Sequence, residues 1–130
     1  AFRVAPENGV FESIYLRPNA ARSEMQRARN ASIQYFAYPD FKFDRLRKES
    51  PGEFETYSDM GLDEWITMRV EVSGTRAALY LNGQRSPTLV VPRMKGSSQS
   101  GSIGLWVDIG TEGYFKDFRI LSMRAKAPGF

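Results

Sequence analysis

Residues 65–83 read WITMRVEVSGTRAALYLNG. Ile66, Met68, Val70 and Val72 alternate with Trp65, Thr67, Arg69 and Glu71. That period of two is what a half-buried strand requires. Ser73-Gly74-Thr75 supplies a turn, and Arg76 to Leu81 returns with Ala77, Leu79 and Leu81 on one face. Asn82-Gly83 follows. The residues of a tight hairpin turn need φ > 0, which Asn and Gly tolerate best. A short strand at Thr88 to Val91 completes an antiparallel meander.

Working outward, the same alternation recurs. Val10 to Arg17 reads as a strand with Val10, Ile14 and Leu16 on one face and Phe11, Ser13, Tyr15 and Arg17 on the other. Ser32 to Tyr38 and Asp44 to Lys48 are further strand candidates, as is the opening Ala1 to Val4. Gly101 to Asp108 follows with Ile103, Leu105 and Val107 inward, and Tyr114 to Met123 is the last. Pro18 to Ala31 is polar and reads as a long loop with a helical turn behind an Asn19 cap. Met94 to Ser100 is a Gly/Ser loop. Short strands separated by turn chemistry predict a β-sandwich or barrel.

Composition narrows the function classes. The 130 residues suit one domain, with a hydrophobic fraction of 42% and an aromatic fraction of 13%. Cys and His are both absent. Thiolate nucleophiles, disulfides, Cys/His zinc sites and His-based triads are therefore excluded within the chain. Eighteen cations face fifteen anions, a net charge of +3. Nucleic-acid binding calls for a concentrated basic stripe. The nearest approach is Arg17, Arg22, Arg27 and Arg29, which lacks interleaved aromatics. No stretch nears the roughly 20 apolar residues of a membrane span.

Several runs occur together and in order: Phe11-Glu12-Ser13-Ile14-Tyr15-Leu16-Arg17-Pro18, Ser32-Ile33-Gln34-Tyr35, Pro39-Asp40-Phe41, Leu46-Arg47, Pro51-Gly52-Glu53-Phe54-Glu55, Glu64-Trp65, Tyr80-Leu81-Asn82-Gly83, Gly104-Leu105-Trp106-Val107 and Tyr114-Phe115-Lys116-Asp117-Phe118-Arg119-Ile120. In this series the chain resembles the 3-keto-disaccharide hydrolase-like domain family, glycoside hydrolases of the lectin/glucanase kind. The resemblance implies an all-β fold, a concanavalin A-like antiparallel β-sandwich or jelly roll. It also implies that the chain is the carboxy-terminal two-thirds of such a domain. An amino-terminal segment or second domain would then complete the sheets. A periplasmic or extracellular location and a carbohydrate partner follow from the same resemblance.

Strand alternation nominates a binding surface. With the aliphatics inward, Trp106 and Asp108 share one face of their strand, Tyr15 and Arg17 one face of theirs, and Gln34 and Tyr38 one face of theirs. Aromatic rings stack on the apolar C–H face of a pyranose, while Arg, Gln and Asp offer directional hydrogen bonds to hydroxyls. A strand Trp serves equally well as packing between layers. Arg47 joins the candidate binding residues, or else forms a salt bridge with an acid.

Glycoside hydrolysis normally needs two carboxyl groups about 5 to 9.5 Å apart. No strand here carries the alternating carboxylates of the laminarinase type. Glu12 and Glu55 match acidic positions of the family's motifs, so the resemblance makes them the candidate catalytic acids. Asp117 resembles a final-strand Asp that helps bind a structural Ca2+ in related sandwiches. Calcium takes about 6 to 8 oxygen ligands. Three functions stand open: sugar binding, hydrolysis of a disaccharide or 3-keto-glycoside, and a non-catalytic structural or interaction module.

Overall fold

The structure, a computed structural model, describes residues 1–122. Its elements in chain order are β1 (Phe11–Leu16), α1 (Pro18–Ala21), α2 (Gln26–Arg29), β2 (Ile33–Tyr38), α3 (Phe43–Glu49), β3 (Glu55–Thr56), β4 (Met68–Ser73), β5 (Arg76–Leu81) and β6 (Leu89–Val91). They form two antiparallel three-stranded sheets, β1-β2-β3 and β4-β5-β6.

The meander at 65–83 folds as its pattern requires. β4 pairs with β5 from Met68↔Leu81 to Ser73↔Arg76, turning through Gly74 at φ 58°. Asn82 and Gly83 take φ of 52° and 71°. β5 is central and buried on both faces at Ala77, Ala78 and Leu79. One apolar cluster joins the sheets: Ile14, Ile33 and Tyr35 from the first meet Leu79, Leu81 and Val91 from the second.

The expected strand at Asp44 to Lys48 is instead part of helix α3. Phe43 and Leu46 stand three apart, a helical spacing, and only Leu46 is buried. Asp44 lies in the first turn and Arg47 and Lys48 in the last, each complementing the helix dipole. Arg45 and Glu49 add an i,i+4 pair at 2.5 Å. The polar stretch after β1 holds two helical turns, α1 and α2, and Pro18 rather than a cap at Asn19 starts the first.

The expected strand at Gly101 to Asp108 pairs only through Ser102, bridged to Val4. Gly104 donates its N–H to the Ala1 carbonyl at 2.9 Å. Beyond that, no ladder carries the chain across the core. Ile103, Leu105 and Val107, expected inward, are 45–50% exposed. Tyr114 to Leu121 likewise forms no strand among the described residues, and Met123 lies outside them. The opening stretch makes two isolated bridges, Phe2↔Glu12 and Val4↔Ser102. Among the described residues no helix is long and apolar enough to cross a membrane.

β4 is an edge strand. Its register places Met68, Val70 and Val72 on the side of Leu81, Leu79 and Ala77, yet Met68 and Val70 are 40% and 38% exposed. Burial therefore predicts unequal costs on one face. Leu79→Ala should lower the unfolding free energy by about 2–5 kcal/mol, and Val70→Ala by less than about 1 kcal/mol. Urea unfolding measures both. Equal losses would mean that β4 is covered as fully as β5.

Candidate functional site

The ladder between β1 and β2 sorts side chains by face. Glu12↔Ala37, Ile14↔Tyr35 and Leu16↔Ile33 point toward the core. Phe11↔Tyr38, Ser13↔Phe36 and Tyr15↔Gln34 point away, and Glu55 of β3 continues the last row beside Gln34. Most of the expected binding residues therefore gather on the outer face of the first sheet.

Aromatic rings cover that face. Phe11 and Tyr38 stack with centroids 5.2 Å apart. Phe36 meets Phe11 and Tyr15 edge-on at 5.7 and 5.5 Å. Trp106 arrives from the extended segment beyond Gly104 and lies 5.3 Å from Tyr15 and 6.0 Å from Phe36. Its Nε1–H donates to the Ser13 Oγ at 2.9 Å, which fixes the plane of the indole. Trp106 remains 37% exposed, as does Tyr38.

Charged groups border the rings. The Arg17 guanidinium donates to the Tyr15 hydroxyl and to the Ala31 carbonyl at 2.6 Å, and it lies over both the Tyr15 and Phe43 rings. Arg47 grips both oxygens of Glu55, at 3.0 Å and 2.7 Å. That is the salt-bridge alternative weighed from sequence, and the hydrogen bonding raises the Arg47 pKa. Burial pushes the Tyr15 phenol up. The charges of Arg17 and Arg47 pull against it, and Asp108 adds a smaller push upward. Asp108 is exposed and accepts the Ile109 N–H at 2.9 Å.

Gln34 departs from its expected role. It is 1% exposed, flanked in the ladder by Tyr15 and Glu55, and its Nε2 donates to the carbonyls of Tyr35 and Phe54. A side chain so enclosed supports the face from beneath and does not reach a ligand. The arginines after β1 are dispersed: Arg22 pairs with Asp59 at 2.9 Å and Arg29 donates to the Ser23 carbonyl.

Glu12 and Glu55 stand on opposite faces of the sheet. Paired-carboxylate hydrolysis places both acids about one bond, and this pair does not meet that geometry. Glu12 is 2% exposed and accepts hydrogen bonds from the Tyr35 hydroxyl and the Gly96 N–H. Sequence reasoning missed this arrangement. Gly96, 84 residues onward, packs so closely that a Cβ there would come within 2.2 Å of the Glu12 carboxyl carbon. Asp117 is exposed with φ of 54°, and among the described residues no three His, Cys, Asp or Glu side chains gather as a metal site would need. The chain matches no protein family, no curated protein and no solved structure.

The buried phenols predict an alkaline limit. Burial first, and then the Glu12 carboxylate, push the Tyr35 pKa far up. The unfolded chain gives up that proton near pH 10 while the folded one keeps it. Stability from Tyr35 is therefore fully present below about pH 10 and falls as pH rises above it. Chemical unfolding at stepped pH should show this loss. Tyr35→Phe should be less stable at neutral pH, by about 1–3 kcal/mol for the Glu12 acceptor left short of a donor, yet lose less on going alkaline. Parallel alkaline losses would show that Tyr35 ionises normally.

Proposed function

We propose that this chain is a carbohydrate-binding domain of the concanavalin A-like sandwich kind, using the outer face of β1 and β2. One observation carries the reading: an exposed indole pinned by a hydrogen bond, on the same face as the Phe11–Tyr38 stack. A ring already fixed in place loses little freedom when a pyranose stacks on it. Arg17, Arg47 and Asp108 border the rings with donors and an acceptor for hydroxyl groups. Two sheets sharing one apolar cluster support the sandwich architecture.

The exposed core-side residues Met68 and Val70, with the exposed aliphatics of 103–107, support the further reading that added strands complete the sheets in a larger domain. Hydrolysis receives less support, because Glu12 and Glu55 do not face one another across a single site.

Glycan-array binding of the whole chain tests the proposal. Retention of neutral oligosaccharides should drop at least about tenfold in Trp106→Ala, the loss of one stacked ring, while the amide NMR spectrum keeps its dispersion. Retention undiminished in that variant, or absent from the parent chain, would overturn it.

A further inference from the structure

The aromatic face of the first sheet has a cation at each end that no acid of the chain balances. Arg17 follows the Leu16↔Ile33 end of the β1–β2 ladder, and its guanidinium carbon lies 4.7 Å from the Tyr15 ring centroid. The Trp106 indole lies 5.3 Å from that same ring. Arg17 donates to the Tyr15 hydroxyl and the Ala31 carbonyl, and neither partner is an acid. Its remaining N–H groups have no acceptor among the described residues. At the other end, beside the Phe11↔Tyr38 pair, the exposed Lys42 carries its Nζ 5.2 Å from the Tyr38 centroid. Neither Arg17 nor Lys42 forms an ion pair among the described residues.

The acids on this face leave those cations uncompensated. Arg47 holds both oxygens of Glu55, at 3.0 and 2.7 Å. Arg17 and Arg47 lie over the same Phe43 ring, 5.3 and 5.4 Å from its centroid. Two guanidinium groups thus stand side by side with one carboxylate between them, and an anion beside Arg17 relieves their repulsion. Asp108 is exposed and acts on the Tyr15 phenol less than either arginine does. A carboxylate accepts from a guanidinium with roughly twice the strength of a neutral acceptor, and its planar shape matches the donors. We infer that the outer face takes an acidic saccharide, a short chain of uronate rings. One ring stacks on Trp106, a carboxylate is received by Arg17, and a carboxylate further along the chain is received by Lys42. This inference rests on the sugar-binding reading of the face and narrows it to a substrate class: a neutral chain meets the same rings but makes neither ionic contact.

The test is an amide NMR titration of the whole chain at about 0.15 M salt, where loose charge attraction is screened. The probes are trimers of galacturonic acid and of glucuronic acid, each beside its own methyl ester, which keeps the rings and removes the charge. At least one acid trimer should bind at least about tenfold more tightly than its ester. Citrate, a tricarboxylate with no ring to stack, should bind at least about tenfold more weakly than that trimer. Arg17→Gln should bring the ratio of acid to ester affinity down to about twofold or less. Arg22→Gln, on the same stretch but paired with Asp59 away from the rings, should keep the ratio of the parent chain. Equal binding of acid and ester by the parent chain, citrate binding as tightly as the trimers, or a ratio that survives Arg17→Gln would each overturn the inference. The first two results come from the parent chain and are readable even where Arg17→Gln does not fold. They also leave the sugar face standing. Failure of that face reads differently, as no saturable shift with any acid or ester, and it would overturn both.

Discussion

The structure depends on a carboxylate in the wrong solvent. Glu12 belongs to the core face of β1, with 2% exposure, beside Ile14 and opposite Ala37. An ion at such a place is tolerated only where its partners are close and well aligned, and removing one partner of a buried pair costs about 3–5 kcal/mol. Here the partners come from three other parts of the chain. Arg3 approaches from the opening stretch, Tyr35 from β2, and Gly96 from the loop that follows β6. The Tyr35 hydroxyl also accepts the Lys95 N–H at 2.8 Å. One polar knot thus ties the first sheet to the exit of the second, while the apolar cluster around it supplies area without direction.

That knot also settles which way β1 faces. A strand places successive side chains on opposite sides, and a slip of one residue would exchange them. With Glu12 committed inward, Phe11, Ser13 and Tyr15 must stand outward. Ser13 then meets the Trp106 Nε1–H, and Tyr15 meets Arg17. The aromatic face is the other side of the same commitment. Its rings carry edge-to-face and stacked geometries that add about 0.5–1.5 kcal/mol per pair beyond area alone. They can therefore remain partly in water and still hold their places.

The meander of β4, β5 and β6 was legible because what it needs is local: alternation, a Gly74 turn after β4 and an Asn-Gly pair after β5. The shared face of Tyr15 and Tyr38 was legible for a similar reason, since parity along each strand survives whatever the strands pair with; Trp106 reaches that face from a segment with no ladder. What failed was decided at a distance. Asp44 to Lys48 alternates too weakly to resist its helical charge pattern. Ile103, Leu105 and Val107 have ideal alternation, but a strand exists only where a neighbour accepts its hydrogen bonds. Gln34 looked like a surface amide and is enclosed between Tyr15 and Glu55. Nothing within β1 tells that Glu12 is buried, because its partners lie 23 and 84 residues onward.

The opening stretch links the two faces. Phe2 bridges to Glu12 of β1, and two residues later Val4 bridges to Ser102. Between them Arg3 takes φ of 52°, a left-handed conformation that a residue with a Cβ adopts at a cost of about 1–3 kcal/mol. The turn lets the guanidinium donate to the Gly74 carbonyl at 2.6 Å and approach Glu12 Oε2 at 3.5 Å while the backbone continues to its second bridge. Gly101 lies against it so closely that a Cβ there would stand 2.5 Å from the Arg3 carbonyl carbon. Through Ser102 and Gly104 this stretch fixes where the Trp106 segment begins, and through Arg3 it completes the surroundings of Glu12. Four residues without a ladder of their own therefore position one group on each side of the sheet. A change in the bridge at Val4 must be felt both by the indole outside and by the carboxylate within.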